Sequence, residues 1–298
     1  MKVDKEQAKN FINTIFQDSE KLSPYYLTIC RVNGKNPDQY NHFNIDQFDL
    51  NRFNIHERNN VWFSPGLKKY DIGNHKKGKD DDIVGITSLV ADIDIQSPVH
   101  NKDNLPKNLE EAIEIAYETK LHPSMIVHTG NGIQAYWLLE EPWIFERNKD
   151  MKEAKEVSEL LYKTLHSRAK EKGYKIDNTS SLAHLFRLPG SINSKDKNNP
   201  IPCYIYENYS KHRNYDIETI KSMLESQIHY EDDEICNFSE NNEFPASYVE
   251  HILNSCQFIK HCVDDAEKLS EPEWYGMLTI VAECVDAEYW AHKFSKPY

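Results

Sequence analysis

Ile86-Thr87-Ser88-Leu89-Val90-Ala91-Asp92-Ile93-Asp94-Ile95 is the stretch on which the reading of this chain turns. It is apolar and rich in β-branched residues, with no glycine or proline to break it, and it predicts a buried central strand. Two aspartates interrupt it near its end. Residues two apart on a strand share a face, so Asp92 and Asp94 point the same way. Two carboxylates held close in an apolar setting repel each other and are costly to desolvate. A divalent cation removes both costs, and magnesium prefers carboxylates together with water and phosphate oxygens. That is the arrangement two-metal phosphoryl transfer uses. The competing reading puts both aspartates on the solvent face of an edge strand, since D-x-D strings are common.

Upstream, residues 4–17 read as a short amphipathic helix and 25–32 as a strand. Residues 34–58 show no clear period. A second strand at 60–64 is expected to stop at Pro65-Gly66. A charged loop with Lys68, Lys69, Lys76, Lys77 and Lys79 follows, and the triplet Asp80, Asp81, Asp82 reads as solvated loop. Downstream, 108–120 is helical. Residues 125–129 and 134–139 are strands around Gly130-Asn131-Gly132, a hairpin signature. A long charged helix spans 148–172, a further strand 202–207 and a further helix 215–228. The expected architecture is therefore mixed α/β (α+β), with a main domain over 1–228. An acidic linker over 229–243 follows, then a helical domain over 244–298 with Trp274, Tyr289 and Trp290 as core anchors. That last domain is expected to continue beyond Tyr298.

The composition, 39% hydrophobic and 28% charged over 298 residues, fits a soluble globular protein. No run of eighteen apolar residues suggests a membrane helix. The polar N-terminus lacks the apolar core of a signal peptide, which makes a cytoplasmic location the expectation. The net charge of −13 counts against a polyanion partner unless charge is segregated. Acid does concentrate late in the chain, at Glu231, Asp232, Asp233 and Glu234, away from the lysine cluster. The six cysteines, at 30, 203, 236, 256, 262 and 284, form no C-x-x-C pair, so a zinc ribbon is unsupported. Cys256, His261, Cys262 and Cys284 could bind metal only by folding together, and they read instead as reduced, buried thiols.

Two more segments carry chemistry. In His128-Thr129-Gly130-Asn131-Gly132-Ile133-Gln134-Ala135-Tyr136-Trp137 the glycines allow close backbone approach and offer amide donors to a phosphate. Thr129 and Asn131 can add side-chain hydrogen bonds. Gln134 opens the outgoing strand and Tyr136 shares its face; a plain hairpin turn is the competing reading. In Leu185-Phe186-Arg187-Leu188-Pro189-Gly190-Ser191-Ile192-Asn193-Ser194-Lys195, Arg187 stands inside an apolar segment and calls for an anionic partner. A planar guanidinium suits a triphosphate, and Lys195 can supply a second phosphate contact. Alternatively Arg187 pairs with an internal carboxylate such as Asp177, and His184 reads as a satisfied core histidine.

Together these segments resemble the archaeo-eukaryotic primase (AEP) superfamily, especially its plasmid and phage primase-polymerases. VADIDI resembles the first motif, HTGNGIQAYWLL the second, and KIDNTSSLAHLFRLPGSINSK the third, over roughly residues 60–207. The resemblance implies a mixed α/β catalytic module with an RRM-like half that bears the acidic residues. It implies that Asp92, Asp94 and Asp177 ligate Mg²⁺ or Mn²⁺, and that Arg187 and Lys195 contact nucleotide phosphates. Single-stranded DNA template, a primer, dNTPs or NTPs, and a helicase domain or partner are the implied partners. Many members carry a histidine in the second motif, where this chain has Gln134; His128, six residues earlier, is the candidate substitute. The chain has no G-x-x-x-x-G-K-[ST] P-loop. It also lacks the H-x-H pair expected of a tyrosine nickase. A non-catalytic nucleic-acid module on an RRM-like sheet is the other alternative; it would need exposed aromatics on the sheet face, and could keep Tyr136 and Trp137 without the carboxylates.

Overall fold

The structure is a computed structural model that describes residues 2–17, 19–32, 39–50, 55, 60–99, 104–227, 249, 252–253, 256–282, 284 and 286–296. The chain divides into two compact units, Met1–His229 and Tyr230–Tyr298. The acidic linker expected at 229–243 lies outside the described residues. No helix among the described residues is long and apolar enough to cross a membrane.

The first unit is built on an antiparallel sheet of eight strands among the described residues. They are β1 (Tyr26–Val32), β2 (Gln39–Asn44), β3 (Asn60–Lys68), β4 (Ile83–Asp94), β5 (Met125–His128), β6 (Gly132–Ile144), β7 (Phe186–Arg187) and β10 (Tyr204–Asn208). Their order is β10-β5-β6-β4-β3-β1-β2, with β7 paired on β3. A separate two-stranded ribbon joins β8 (Ile192–Asn193) to β9 (Ile201–Pro202). Helices α1 (Lys5–Ile15), α2 (Ser19–Leu22), α3 (Leu109–Tyr117), α4 (Asn148–Glu171) and α5 (Ile217–Glu225) complete the unit. β4-α3-β5-β6-α4 leads on to β10 in the β-α-β-β-α-β order of a split βαβ, with β7 to β9 inserted before the last strand. The expected mixed α/β class is the observed one.

Strand alternation divides β4 cleanly. Leu89, Ala91 and Ile93 pack with Ala135 and Trp137 of β6 against α3, α4 and α5. Val90 packs with Tyr136, Leu138, Val127 and Phe186 in the core on the other face. Helix α1 covers that second face. Asp4 caps it by accepting from the Gln7 amide at 2.9 Å. Its buried residues Ala8, Phe11, Ile12 and Ile15 recur at helical spacing. Phe11 meets the rings of Phe63 at 5.1 Å and Tyr136 at 5.4 Å, both edge-on. Such pairs add about 0.5–1.5 kcal/mol to what burial alone contributes.

Two expectations need correction. β3 does not stop at Pro65-Gly66 but runs on to Lys68. The pairing with β1 is irregular there, and a bulge accommodates the proline. A strand, β2, also lies inside the stretch read as aperiodic. It lies at one edge of the sheet and is half-buried, so its sequence QYNHFN has no apolar alternation to betray it.

β3 changes partner along its length. Residues 66–68 pair with β4, whereas Trp62 and Phe63 pair with Arg187 and Phe186 of β7. Past Ile86 the two long strands part, and the segment leading into β7 fills the opening between them.

In the second unit, helices Gln257–Asp264, Glu271–Ala282 and Ala287–Ser295 pack around Val249, Ile259, Cys262, Met277 and Val281. Trp274 and Trp290 join this core, as expected, but Tyr289 is 64% exposed and does not anchor it.

Candidate active site

The site lies where the apolar cover of the second face ends. Asp92 stands opposite Gln134, and Asp94 opposite Gly132, in the β4–β6 register. Ile93, between them, is fully buried in the helix-side core, so both aspartates share the other face. Asp92 Oδ1 is buried and has no hydrogen-bond partner. Burial and the adjacent Asp94 charge push the Asp92 carboxyl up to about 7. Arg187 pulls the other way, Asp177 adds to the rise, and the Gln134 amide lowers it. Gln134 is buried and accepts from the Tyr136 hydroxyl at 3.1 Å, which fixes its amide beneath Asp92.

Arg187 enters from β7. Its Nη1 donates to Asn60 Oδ1 at 2.8 Å, and its guanidinium carbon lies 5.5 Å from the Trp62 ring centroid. Burial lowers its pKa, while Cys203, Asp92 and Asp94 raise it. The pairing with Asp177 considered from the sequence is not formed: among the described residues no carboxylate makes an ion pair with Arg187. Cys203 is buried, and desolvation pushes its thiol up to about 12.

Asp177 follows α4 on an exposed segment. The Thr179 hydroxyl donates to the Val90 carbonyl at 3.4 Å and lays this segment along β4. The charge of Asp177 reaches Asp92, and also Tyr162 and His184. Burial pushes half-buried His184 down to about 4, and its ring lies 4.9 Å from that of Phe186.

The hairpin turn brings the second motif beside the first. The Thr129 amide donates to the Gly132 carbonyl at 2.9 Å, and the Ile95 amide to the Asn131 carbonyl at 3.0 Å. A side chain at Gly132 would put its Cβ 2.4 Å from the Ile93 carbonyl, so only glycine fits against the acidic strand. The third motif closes on the same turn. Asn193 Nδ2 donates to the Thr129 carbonyl at 2.7 Å, and Asn193 Oδ1 accepts from the Lys195 amide at 3.0 Å. Thr129 and Asn131 are themselves buried, and Lys195 is exposed. His128 does not join them. It pairs with Ile133, on the helix-side face, and its ring lies 5.0 Å from that of Tyr204.

The residues present fit a divalent cation. Asp92 Oδ1 is an orphaned acceptor in a low-dielectric setting, and a second carboxylate stands beside it on the same face. Among the described residues no three His, Cys, Asp or Glu side chains come together to hold an ion by themselves. That holds for Cys256, Cys262, Cys284 and His261 as well. Magnesium commonly takes one or two carboxylates and completes its shell with water and substrate phosphates.

No protein-family model matches the chain, and no curated protein matches it. Three solved structures are similar to the chain. The AEP domain of the primase-polymerase of cyanophage S-2L is 14% identical, with TM-score 0.48, over 74% of this chain and 98% of that one. The catalytic domain of primase RepB′ in complex with initiator DNA is 12% identical, with TM-score 0.42, over 74% and 95%. Primase RepB′ is 11% identical, with TM-score 0.41, over 95% and 92%.

Two residues of the site have no signal in the sequence. Asn60 holds Arg187. Asp80, from the triplet read as solvated loop, accepts from the Ser181 hydroxyl at 2.6 Å and the Ala183 amide at 3.2 Å. It thereby fixes the turn between Asp177 and Arg187. Lys155 lies 3.8 Å from its other oxygen.

Proposed function

We propose that this chain is a metal-dependent nucleotidyltransferase of the primase-polymerase kind, adding dNTPs or NTPs to a primer or initiating one on single-stranded DNA. The observation that carries the reading is Asp92, a half-buried residue whose Oδ1 is buried without a hydrogen-bond partner, beside Asp94 and within electrostatic reach of the Arg187 guanidinium. Asp92 and Asp94 would hold Mg²⁺ or Mn²⁺, with Asp177 adding negative charge from the neighbouring segment. When bound, the cation lowers the pKa of the attacking 3′-hydroxyl and offsets charge on the triphosphate.

The protein's part is positioning. Gln134, braced by Tyr136, orients Asp92. Arg187 binds the triphosphate, and Lys195 adds a second cation at the rim. The turn at 129–132 presents backbone to the same place, locked there by Asn193. Burial of Cys203, Tyr136 and Phe186 keeps water from beneath the acidic pair. No serine or cysteine nucleophile is called for. The first unit, read as residues 1–228, carries all of these residues.

The alternative of a non-catalytic sheet that stacks bases loses its main support, because Tyr136 and Trp137 are both fully buried. The test is incubation with single-stranded template, labelled nucleotides and Mn²⁺ or Mg²⁺, with and without primer. Incorporation is expected, and Asp92→Ala should abolish it without loss of the folded state. A wild-type protein that incorporates nothing under any of these conditions, or an Asp92→Ala variant with full synthesis, refutes the proposal.

A further inference from the structure

Asn60 opens β3 and is only 8% exposed. Its Oδ1 accepts twice, from Arg187 Nη1 at 2.8 Å and from the Ser194 amide at 2.9 Å. Trp62 follows two residues later on the same face and is the register partner of Arg187. Its indole lies against the guanidinium, and its Nε1 is buried with no hydrogen-bond partner. A buried guanidinium ordinarily takes a carboxylate, which satisfies its donors in pairs and cancels its charge. Here the fixed partner is a neutral amide oxygen.

The difference matters chemically. A guanidinium has five N–H donors, and Asn60 occupies one of them. A neutral acceptor settles where the group points and leaves its charge uncompensated by any contact. The same oxygen ties down Ser194, the residue before Lys195, so one amide sets the spacing between both cationic residues of the third motif. The charges of Asp92 and Asp94 reach Arg187, and among the described residues neither forms an ion pair with it.

We propose that Asn60 is a positioning residue that holds Arg187 oriented and un-neutralised for the triphosphate of the incoming nucleotide, with Trp62 covering one face of the guanidinium. This rests on the nucleotidyl-transfer reading. A merely structural Asn60 would tolerate aspartate well, because a carboxylate accepts the same two donors. A positioning Asn60 would not, because the new ion pair cancels the charge the triphosphate needs.

The experiment compares wild type, Asn60→Asp and Asn60→Gln. Titration calorimetry measures dGTP binding in Ca²⁺, thermal melting measures the fold, and steady-state extension gives separate KM values for nucleotide and template. The expected result for Asn60→Asp is a melting temperature equal to or above wild type. Its dGTP affinity should fall about tenfold or more, the scale of one charge-assisted contact. Its nucleotide KM should rise while its template KM barely moves. Asn60→Gln, which stays neutral, should keep affinity within about threefold, by the same scale. If the aspartate and glutamine variants lose affinity equally, or the aspartate variant binds as tightly as wild type, the inference is wrong. Should Asn60→Asp not fold, loss of binding in a folded Asn60→Gln overturns it and retention supports it. A wild type that binds dGTP but incorporates none would refute the polymerase reading, while the variant comparison still decides the role of Asn60.

Discussion

Asp92 bears a cost that Arg187 and Gln134 relieve only in part. Its carboxyl lies at about 7 in the folded chain, against an ordinary value of 3.8, because burial and Asp94 oppose ionisation. The folded state therefore holds this proton more tightly than the unfolded state does. The stability this contributes is complete below about pH 4 and is lost as pH rises through 7. A tenfold difference in proton affinity corresponds to about 1.4 kcal/mol, so the loss by pH 8 is on the order of a few kcal/mol. In EDTA, Asp92→Asn should melt well above wild type at pH 8 and close to it at pH 5. Parallel pH dependence in the two proteins would mean that Asp92 is solvated and unstrained. The sequence makes this residue visible because two acids interrupt an apolar β-branched run. Asn60 and Asp80 are invisible to such reading. Their contacts span 127 and 103 residues, to Arg187 and Ala183, and leave no local pattern.

Among the elements, the β4–β6 pair and its hairpin are what place the site. Gly132→Ala would drive a methyl group into the Ile93 carbonyl beside Asp94. A stability loss of about 1–3 kcal/mol is expected in urea unfolding, the usual range for overpacking. Incorporation should fall further than stability alone explains. A second prediction concerns the far side of the sheet. Lys68 is buried on β3 and donates to Thr28 at 2.7 Å, and burial brings its pKa down to about 8. Its ammonium is thus disfavoured in the fold. That cost is greatest below pH 8 and fades as pH rises towards the ordinary value of 10.5. Lys68→Met should stabilise the protein at pH 7 by about 1–3 kcal/mol and flatten its pH dependence above 8, as read by denaturant titration at each pH. Most of these elements announce themselves in the sequence: α1 by its 3–4 spacing, β4 by its apolar run, the hairpin by Gly130-Asn131-Gly132. β2 does not, because a half-buried edge strand needs no alternation. The continuation of β3 does not either, because a proline reads as a stop unless the bulge that admits it is known.

At the scale of the molecule, topology turns three distant segments into one site. β3 beside β4, β7 on β3, and β10 beside β5 are non-local pairings that no window of sequence reports. The motifs give their order along the chain; the sheet gives their convergence. A cation bound only by the folded first unit must stabilise it by mass action, ~2.7 kcal/mol at a hundred times Kd. Mn²⁺ should accordingly raise the melting temperature of the wild type at pH 8 and leave Asp92→Asn unmoved. An equal rise in both would put the ion elsewhere. On the proposed reading, the net charge of −13 offers DNA no long-range attraction, so affinity for template would come from local cations other than Arg187.

Anomalous diffraction from crystals grown with Mn²⁺ and a non-hydrolysable dNTP tests the acidic strand most directly. The expected result is a manganese peak bridging the Asp92 and Asp94 carboxylates, with the triphosphate between it and the Arg187 guanidinium. Manganese bound away from β4, or a triphosphate that leaves Arg187 untouched, would contradict it.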